Sequence, residues 1–430
     1  MKAVSKLMTP RVLAGLALAS GLLGVGSIVT AGSPAQADPA WTSSLVGVGA
    51  DVTQDLWAAY SGASPAPDLG AANTTFYTPL NAGSANNFLT VSSYDANPAG
   101  EPTTSAGCII TKVGGNAWDR PNSSTEGITA LYDSVTGNTW EGSPSCTGTP
   151  ESITGQLQFA RSARGVKTSG TTLTFIPYAR DGLGILVYTP TSGSPLASLT
   201  ESELAALYST DNGQETINGV TVYACTTING STPNSNLATV LGISTTTENN
   251  AAADADAANV SGGLCPSVTQ NSGNAFYSAV SGLTSGFGAV IPISAGSWES
   301  QFNDVALDRS ATARANGVDL AAITNSASVS LGKPYISGTI GSGPDAGQAG
   351  EVPNTTYYQD TSGWGYNVYT VVPTRTLSGI NFSAPLNALF VGATSAQCAT
   401  AAQNTAHDFG FDSLTSGEGT CGSTSSQGNG

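Results

Sequence analysis

Thr174–Tyr188 reads TFIPYARDGLGILVY and holds two apolar segments, Phe175-Ile176-Pro177-Tyr178 and Leu183-Gly184-Ile185-Leu186-Val187-Tyr188. Segments of this kind alternate along the chain with helical patterns: Leu56, Trp57 and Tyr60; Ile128, Leu131 and Tyr132; Leu237, Val240 and Leu241. Such alternation predicts an α/β fold of layered helices and sheet. At 430 residues the chain is longer than one core usually carries, which predicts two lobes. No internal repeat of fixed period is visible. Two polar stretches, Asn234–Ser272 and Ser337–Asn354, read as decorated loops of the second lobe.

Four polar turns stand at element ends. Gly47–Asp55 (GVGADVTQD) lies between the apolar Leu45-Val46 and the Leu56 pattern, and Arg120–Ile128 (RPNSSTEGI) runs into the Ile128 pattern. Leu157–Gly165 (LQFARSARG) flanks a serine with two guanidinium groups, and Asn229-Gly230-Ser231-Thr232 precedes the Leu237 pattern. The first N–H groups of a helix lack intrahelical partners and carry the positive end of its dipole, so hydroxyls and amides there can hold an oxyanion. The alternative is ordinary capping, with Ser123 or Ser124 as the cap and Glu126 beside it. Asp51 likewise reads either as a proton acceptor for a ligand or as a cap, and Arg161 and Arg164 either as ligand donors or as solvent-facing residues.

Charge narrows the partners. Lys2, Lys6 and Arg11, the apolar stretch Val12–Val29 and Ser33–Ala37 (SPAQA), with small residues at the cleavage spacing, make residues 1–37 a secretory leader cleaved near Ala37. The chain carries 13 Lys and Arg against 29 Asp and Glu; losing the leader leaves ten against 29, a net of −19. A nucleic-acid partner is excluded on that balance. A small anion is not, because helix termini and local arginines act within a screening length of roughly 10 Å. No later run is long enough to span a bilayer, and no cysteine near Ala37 offers a lipid anchor, so the expectation is a secreted monomer.

Six cysteines in an exported chain predict three disulfides, and fifteen pairings are open. Nearest-neighbour pairing gives Cys108–Cys146, Cys225–Cys265 and Cys398–Cys421, each worth about 3–4 kcal/mol on the loop-entropy account. There is no Cys-x-x-Cys, and His407 is the sole histidine, so neither a metal site nor a cofactor is expected. No Gly-x-Ser-x-Gly elbow accompanies His407, whose neighbour Asp408 and polar tail suggest a surface position. The 29 acidic residues leave carboxylate pairs for glycoside hydrolysis open, but none stands in a recognisable setting, and the chain is read as a binding protein and not an enzyme.

In the order of its segments the sequence resembles the phosphate-binding, type II periplasmic substrate-binding proteins of bacterial ABC importers, most closely their secreted actinobacterial branch. Gly49–Gln54, Asn122–Ile128, Phe159–Ala163, Thr174–Tyr188, Leu199–Tyr208 (LTESELAALY), Val290–Gln301 (VIPISAGSWESQ) and Asn367–Pro373 (NVYTVVP) carry the resemblance. It implies a two-lobed fold with a hinge crossed twice: lobe 1 from residues 38–180 and 366–430, lobe 2 from 181–365. It also implies an interlobe site for a small phosphate-like anion, closed by lobe motion, with an ABC permease as partner. The implied ligand residues are Asp51, Val52, Thr53, Ser123, Ser124, Arg161, Ser162 and Arg164 from the first lobe, and Asn229, Ser231 and Thr232 from the second. Two departures bear on the ligand: Ala163 stands where the family has an acidic acceptor, and no arginine precedes Asn229. They keep open a rival reading, a secreted surface or matrix protein that binds a protein or glycan.

Overall fold

The computed structural model describes residues 45–62, 77–81, 91–96, 107–112, 114–142, 148–190, 195–227, 231–258, 264–265, 267–343, 345–415 and 419–430. The leader, Cys146 and Asn229 lie outside the described residues. The principal strands are β1 (Leu45–Gly49), β2 (Val91–Ser93), β3 (Phe159–Ser162), β4 (Leu173–Tyr188), β5 (Gln214–Ile217), β6 (Val220–Ala224), β7 (Phe287–Ser294), β8 (Asp319–Leu320), β9 (Gly365–Pro373) and β10 (Ser426–Gly428). The helices are α1 (Gln54–Tyr60), α2 (Ser124–Thr136), α3 (Glu201–Ser209), α4 (Thr232–Val240), α5 (Thr245–Ala258), α6 (Gly273–Val280), α7 (Ala295–Phe302), α8 (Ala311–Ala315), α9 (Thr355–Tyr358), α10 (Ala384–Phe390) and α11 (Thr400–Asp408). The fold is mixed α/β, as the alternation of patterns predicts.

The ten strands join in one mixed sheet in the order β5-β6-β7-β4-β9-β3-β1-β2, with β8 and β10 also paired to β4. Strand β4 organises it. All 16 of its residues are buried, the pattern of a strand covered on both faces. Its first part, Leu173–Gly182, pairs antiparallel with β9, and its last part, Leu183–Tyr188, pairs antiparallel with β7. One strand thus belongs to two half-sheets and changes neighbours between Gly182 and Leu183. Pro177 lacks a ladder donor, and the register slips beside it: Val368 faces Ala179 while Tyr369 faces Pro177. A bulge is where a central strand tolerates proline.

Beyond the first half-sheet, β1 runs parallel to both β2 and β3; in the second, β6 runs parallel to β7. The cores divide along the same line. Two clusters centre on residues of β1, α1, α2, β3, the first part of β4, β9, α10 and α11, with Val305 and Ala306 joining from the loop after α7. Two others centre on the rest of β4, β6, β7 and the helices between them.

Local signals account for the helix starts. Thr200 and Glu203 form a reciprocal capping box on α3, and Ser231, Ser272 and Ser294 each cap the helix that follows. The two stretches expected as loops contain more structure than that. Within 234–272 lie most of α4 and all of α5, because the Ser231 cap and an alanine-rich run outweigh the polar residues. Within 337–354 lies most of a hairpin pairing strands Tyr335–Thr339 and Ala349–Pro353.

Disulfides Cys225–Cys265 and Cys398–Cys421 form as nearest-neighbour pairing predicts, with Cα separations of 5.1 and 5.8 Å. No helix among the described residues is long and apolar enough to cross a membrane.

Glu248 of α5 is fully buried, and neither carboxyl oxygen has a hydrogen-bond partner. Burial pushes its pKa up to about 9. The folded state then holds a proton that the unfolded state releases near the usual carboxylate range, so stability falls as pH rises through that window by up to about 1.4 kcal/mol per unit. Glu248→Met is expected to raise stability at pH 8 and to flatten the decline between pH 5 and 9. Denaturant unfolding at several pH values measures both; an unchanged pH slope would refute the assignment.

Candidate functional site

The described residues of the four polar turns meet. Gly49 and Arg161 are register partners at the C-terminal ends of β1 and β3, and Ala50 N–H donates to Arg161 O at 3.1 Å. Gly49 has φ +128°, and a Cβ there would stand 2.3 Å from Arg161 O. A Cβ on Gly127, in the first turn of α2, would stand 2.4 Å from Gly49 Cα. Two glycines therefore seat the N-terminus of α2 against the end of β1.

Ser123 is the α2 cap, its Oγ accepting from Glu126 N–H while Glu126 Oε2 accepts from Asn122 N–H. Ser124, one residue on, faces the site: its Oγ accepts from Ala163 N–H at 3.0 Å and shares a 3.0 Å hydrogen bond with Thr232 Oγ1, the first residue of α4. Helix starts from the two half-sheets thus touch. Ser231 caps α4 and hydrogen-bonds Thr227 Oγ1.

Asp51 opens a short 3₁₀ turn, Asp51–Thr53, that leads into α1, and it serves as no helix cap. Its Oδ2 instead accepts from Asn271 Nδ2 at 2.7 Å. Burial pushes its carboxyl up to about 6, while the Asn271 bond and the positive charge of Arg309 restrain the rise. Val52 packs in the core and Thr53 Oγ1 donates to Ala50 O, so both support the turn.

The two nominated arginines have different surroundings. Arg161 is wholly buried: Nε donates to Ala50 O at 3.2 Å, Nη1 to Tyr94 O at 2.8 Å and to Ser93 Oγ, and Nη2 to Gly49 O at 3.0 Å. Burial lowers its pKa to about 10, opposed by Asp95, Tyr178, Asp51 and Asp55. It ties together the ends of β1, β2 and β3 from inside. Arg164, half-buried, donates from Nε to Thr125 Oγ1 at 3.1 Å and from Nη1 to Gly165 O. Ser162 Oγ closes a local turn, donating to Arg164 O and accepting from Arg164 N–H.

Sequence reading missed Gln270 and Asn271. Gln270-Asn271-Ser272-Gly273 is a polar turn before α6 of the same kind as the four nominated, hidden inside a stretch assigned as loop. Gln270 Nε2 donates to Asn122 O, and Asn271 Oδ1 accepts from Ser294 N–H at the start of α7.

His407 is half-buried and Asp408 buried: the Asp408 carboxylate accepts from Gly341 N–H and Ser342 Oγ, a pairing its sequence neighbours do not foretell. Among the described residues no group of three or more His, Cys, Asp or Glu is arranged to hold a metal ion.

Replacing Arg161 by methionine takes the guanidinium donors from Gly49 O and Tyr94 O and leaves Ala50 O only Thr53 Oγ1, a cost of about 2 kcal/mol or more. Arg161→Met is expected to lower the denaturant midpoint by a corresponding amount. Full stability with lost anion binding would instead make Arg161 a ligand group.

No protein-family model matches this chain, and no curated protein matches it. Among solved structures it is similar to one titled a possible phosphate binding protein from Planctomyces limnophilus, at 6% identity and TM-score 0.37, covering 87% of this chain and 94% of that one. It is similar to a DING protein at 12% identity and TM-score 0.40, with coverage of 86% and 91%. The ancestral soluble variant of the Human Phosphate Binding Protein matches at 13% identity and TM-score 0.35, over 86% of this chain and all of that one. These likenesses are loose, and the functional reading rests on the geometry of the site.

Proposed function

We propose that this chain is an extracellular binding protein that captures a small phosphate-like oxyanion between two lobes, residues 38–180 with 366–430 and residues 181–365. The observation that carries the reading is the contact of Ser124 and Thr232, the first residues of α2 and α4, at 3.0 Å. Two helix N-termini meet there with hydroxyls foremost, an arrangement suited to negative charge. The change of partners along β4 supplies the hinge, because its two parts pair with different strands. Opening and closing about that strand would admit and enclose the ligand. Secretion through the leader, life as a monomer and delivery to an ABC permease complete the proposal.

A second reading has its own support. In the closed arrangement the protein satisfies its own groups across the cleft, Ser124 with Thr232 and Asp51 with Asn271. A scaffold that keeps the fold and has given up the ligand would do the same.

Calorimetric titration of the chain with phosphate, sulfate and small organic anions separates the two. A receptor of micromolar affinity gains about 4 kcal/mol of stability at millimolar ligand, so its melting midpoint is expected to climb by several degrees. No heat and no shift across the panel would leave the scaffold reading standing.

A further inference from the structure

We propose that Arg309, on the loop between α7 and α8, supplies the positive charge that holds the captured oxyanion; this rests on the capture reading above.

The argument begins with where the other arginines point. Arg161 spends its donors on Gly49 O, Ala50 O, Tyr94 O and Ser93 Oγ, and Arg164 directs its own to Thr125 and Gly165. The Arg309 guanidinium is half-buried and has no hydrogen bond or ion pair among the described residues. Its neighbour Asp308 does not neutralise it, since that carboxylate is engaged by Arg314 Nη2 and Ser310 N–H.

The backbone beneath Arg309 is fixed from the site side. Its carbonyl accepts from Asn274 N–H at 2.9 Å and Ser272 Oγ at 3.2 Å, and its N–H donates to Gln301 Oε1 at 3.1 Å. Gln301 Nε2 in turn donates to Asn271 O at 2.8 Å, and Asn271 reaches Asp51. Arg309 is thus bound to the same turn that closes on Asp51, and its charge is felt by that carboxyl. A guanidinium held half out of water with its fork unused offers paired, charge-assisted donors to a tetrahedral oxyanion. It comes from the second half of the fold, so it would engage the ligand only on closure.

The test is calorimetric titration of the full chain, Arg309→Gln and Arg309→Lys with inorganic phosphate and with sulfate, together with melting in the absence of ligand. Arg309→Gln is expected to weaken binding by more than about tenfold, and Arg309→Lys to fall between it and the unaltered chain, as a point charge replaces a fork. Both variants should melt with the unaltered chain, since the guanidinium has no protein partner to lose. If the unaltered chain binds and Arg309→Gln binds equally well, the role of Arg309 is overturned while capture stands. A large drop in the ligand-free melting midpoint would also overturn it, by making the side chain structural. If the unaltered chain takes up neither anion, the capture reading itself fails.

Discussion

Two adjacent residues, Arg180 and Asp181, hold the place where β4 changes neighbours. Their side chains leave opposite faces of the strand. The Asp181 carboxylate is wholly buried and accepts four hydrogen bonds: from Gly182 N–H at 2.7 Å, Gly296 N–H at 3.0 Å, Ser294 Oγ at 2.7 Å and Tyr366 Oη at 2.6 Å. It ties the start of α7 and the returning strand β9 to one point. Arg180 donates to Tyr358 O, Asp360 O and Asn367 Oδ1, gripping the segment that leads back. Gly365 is required beside it, for a Cβ there would stand 1.9 Å from Tyr358 O and 2.8 Å from Arg180 Nη2. Burial pushes Asp181 up to about 6, and its four donors keep the rise from going further.

From that junction the location of the site follows. β1 and β3 run parallel and end side by side, which leaves Gly49–Thr53 and Ser162–Arg164 as neighbouring turns. Open α/β sheets place their ligand crevices beyond such strand ends. The buried cation Arg161 welds the strand ends together with carbonyl acceptors, so their turns are set before anything binds. Asp181 does the equivalent for the opposite wall by fixing Ser294 and Gly296 at the head of α7. Asn271 then spans from Ser294 N–H to Asp51. A chain of hydrogen bonds therefore runs from the strand junction to the site.

Some of this was legible in the sequence for simple reasons. Alternating apolar and helical patterns specify α/β layers, and the Ser-x-x-Glu spacing after Asn122 marks a cap that forms as written. Two disulfides follow from proximity in the chain. What escaped depends on contacts distant in sequence. An arginine in Phe-Ala-Arg-Ser reads as surface or ligand, and only the pairing of β1 with β3 brings Gly49 O and Ala50 O, more than a hundred residues earlier, to its guanidinium. Nothing beside Asp408 in the sequence points to its burial, which depends on the hairpin of 335–353 bringing Ser342 to it. Pro177 argues against a central strand unless a bulge is foreseen, and a bulge depends on the register of β9.

The cross-cleft contacts bear on how tightly a ligand would be held. Ser124 with Thr232, Asp51 with Asn271 and Asn122 with Gln270 are three hydrogen bonds between the half-sheets. At roughly 0.5–1.5 kcal/mol net apiece they would bias the proposed two-lobed protein toward closure without any ligand. An anion entering at Ser124 and Thr232 exchanges one neutral hydroxyl pair for charge-assisted bonds of about twice the strength. Its affinity is then the difference between those bonds and the latch it displaces, because a ligand shifts an equilibrium only by its differential interaction with the two states. A latch of single hydrogen bonds shared among three places would keep such a cleft shaped for an occupant while remaining easy to displace.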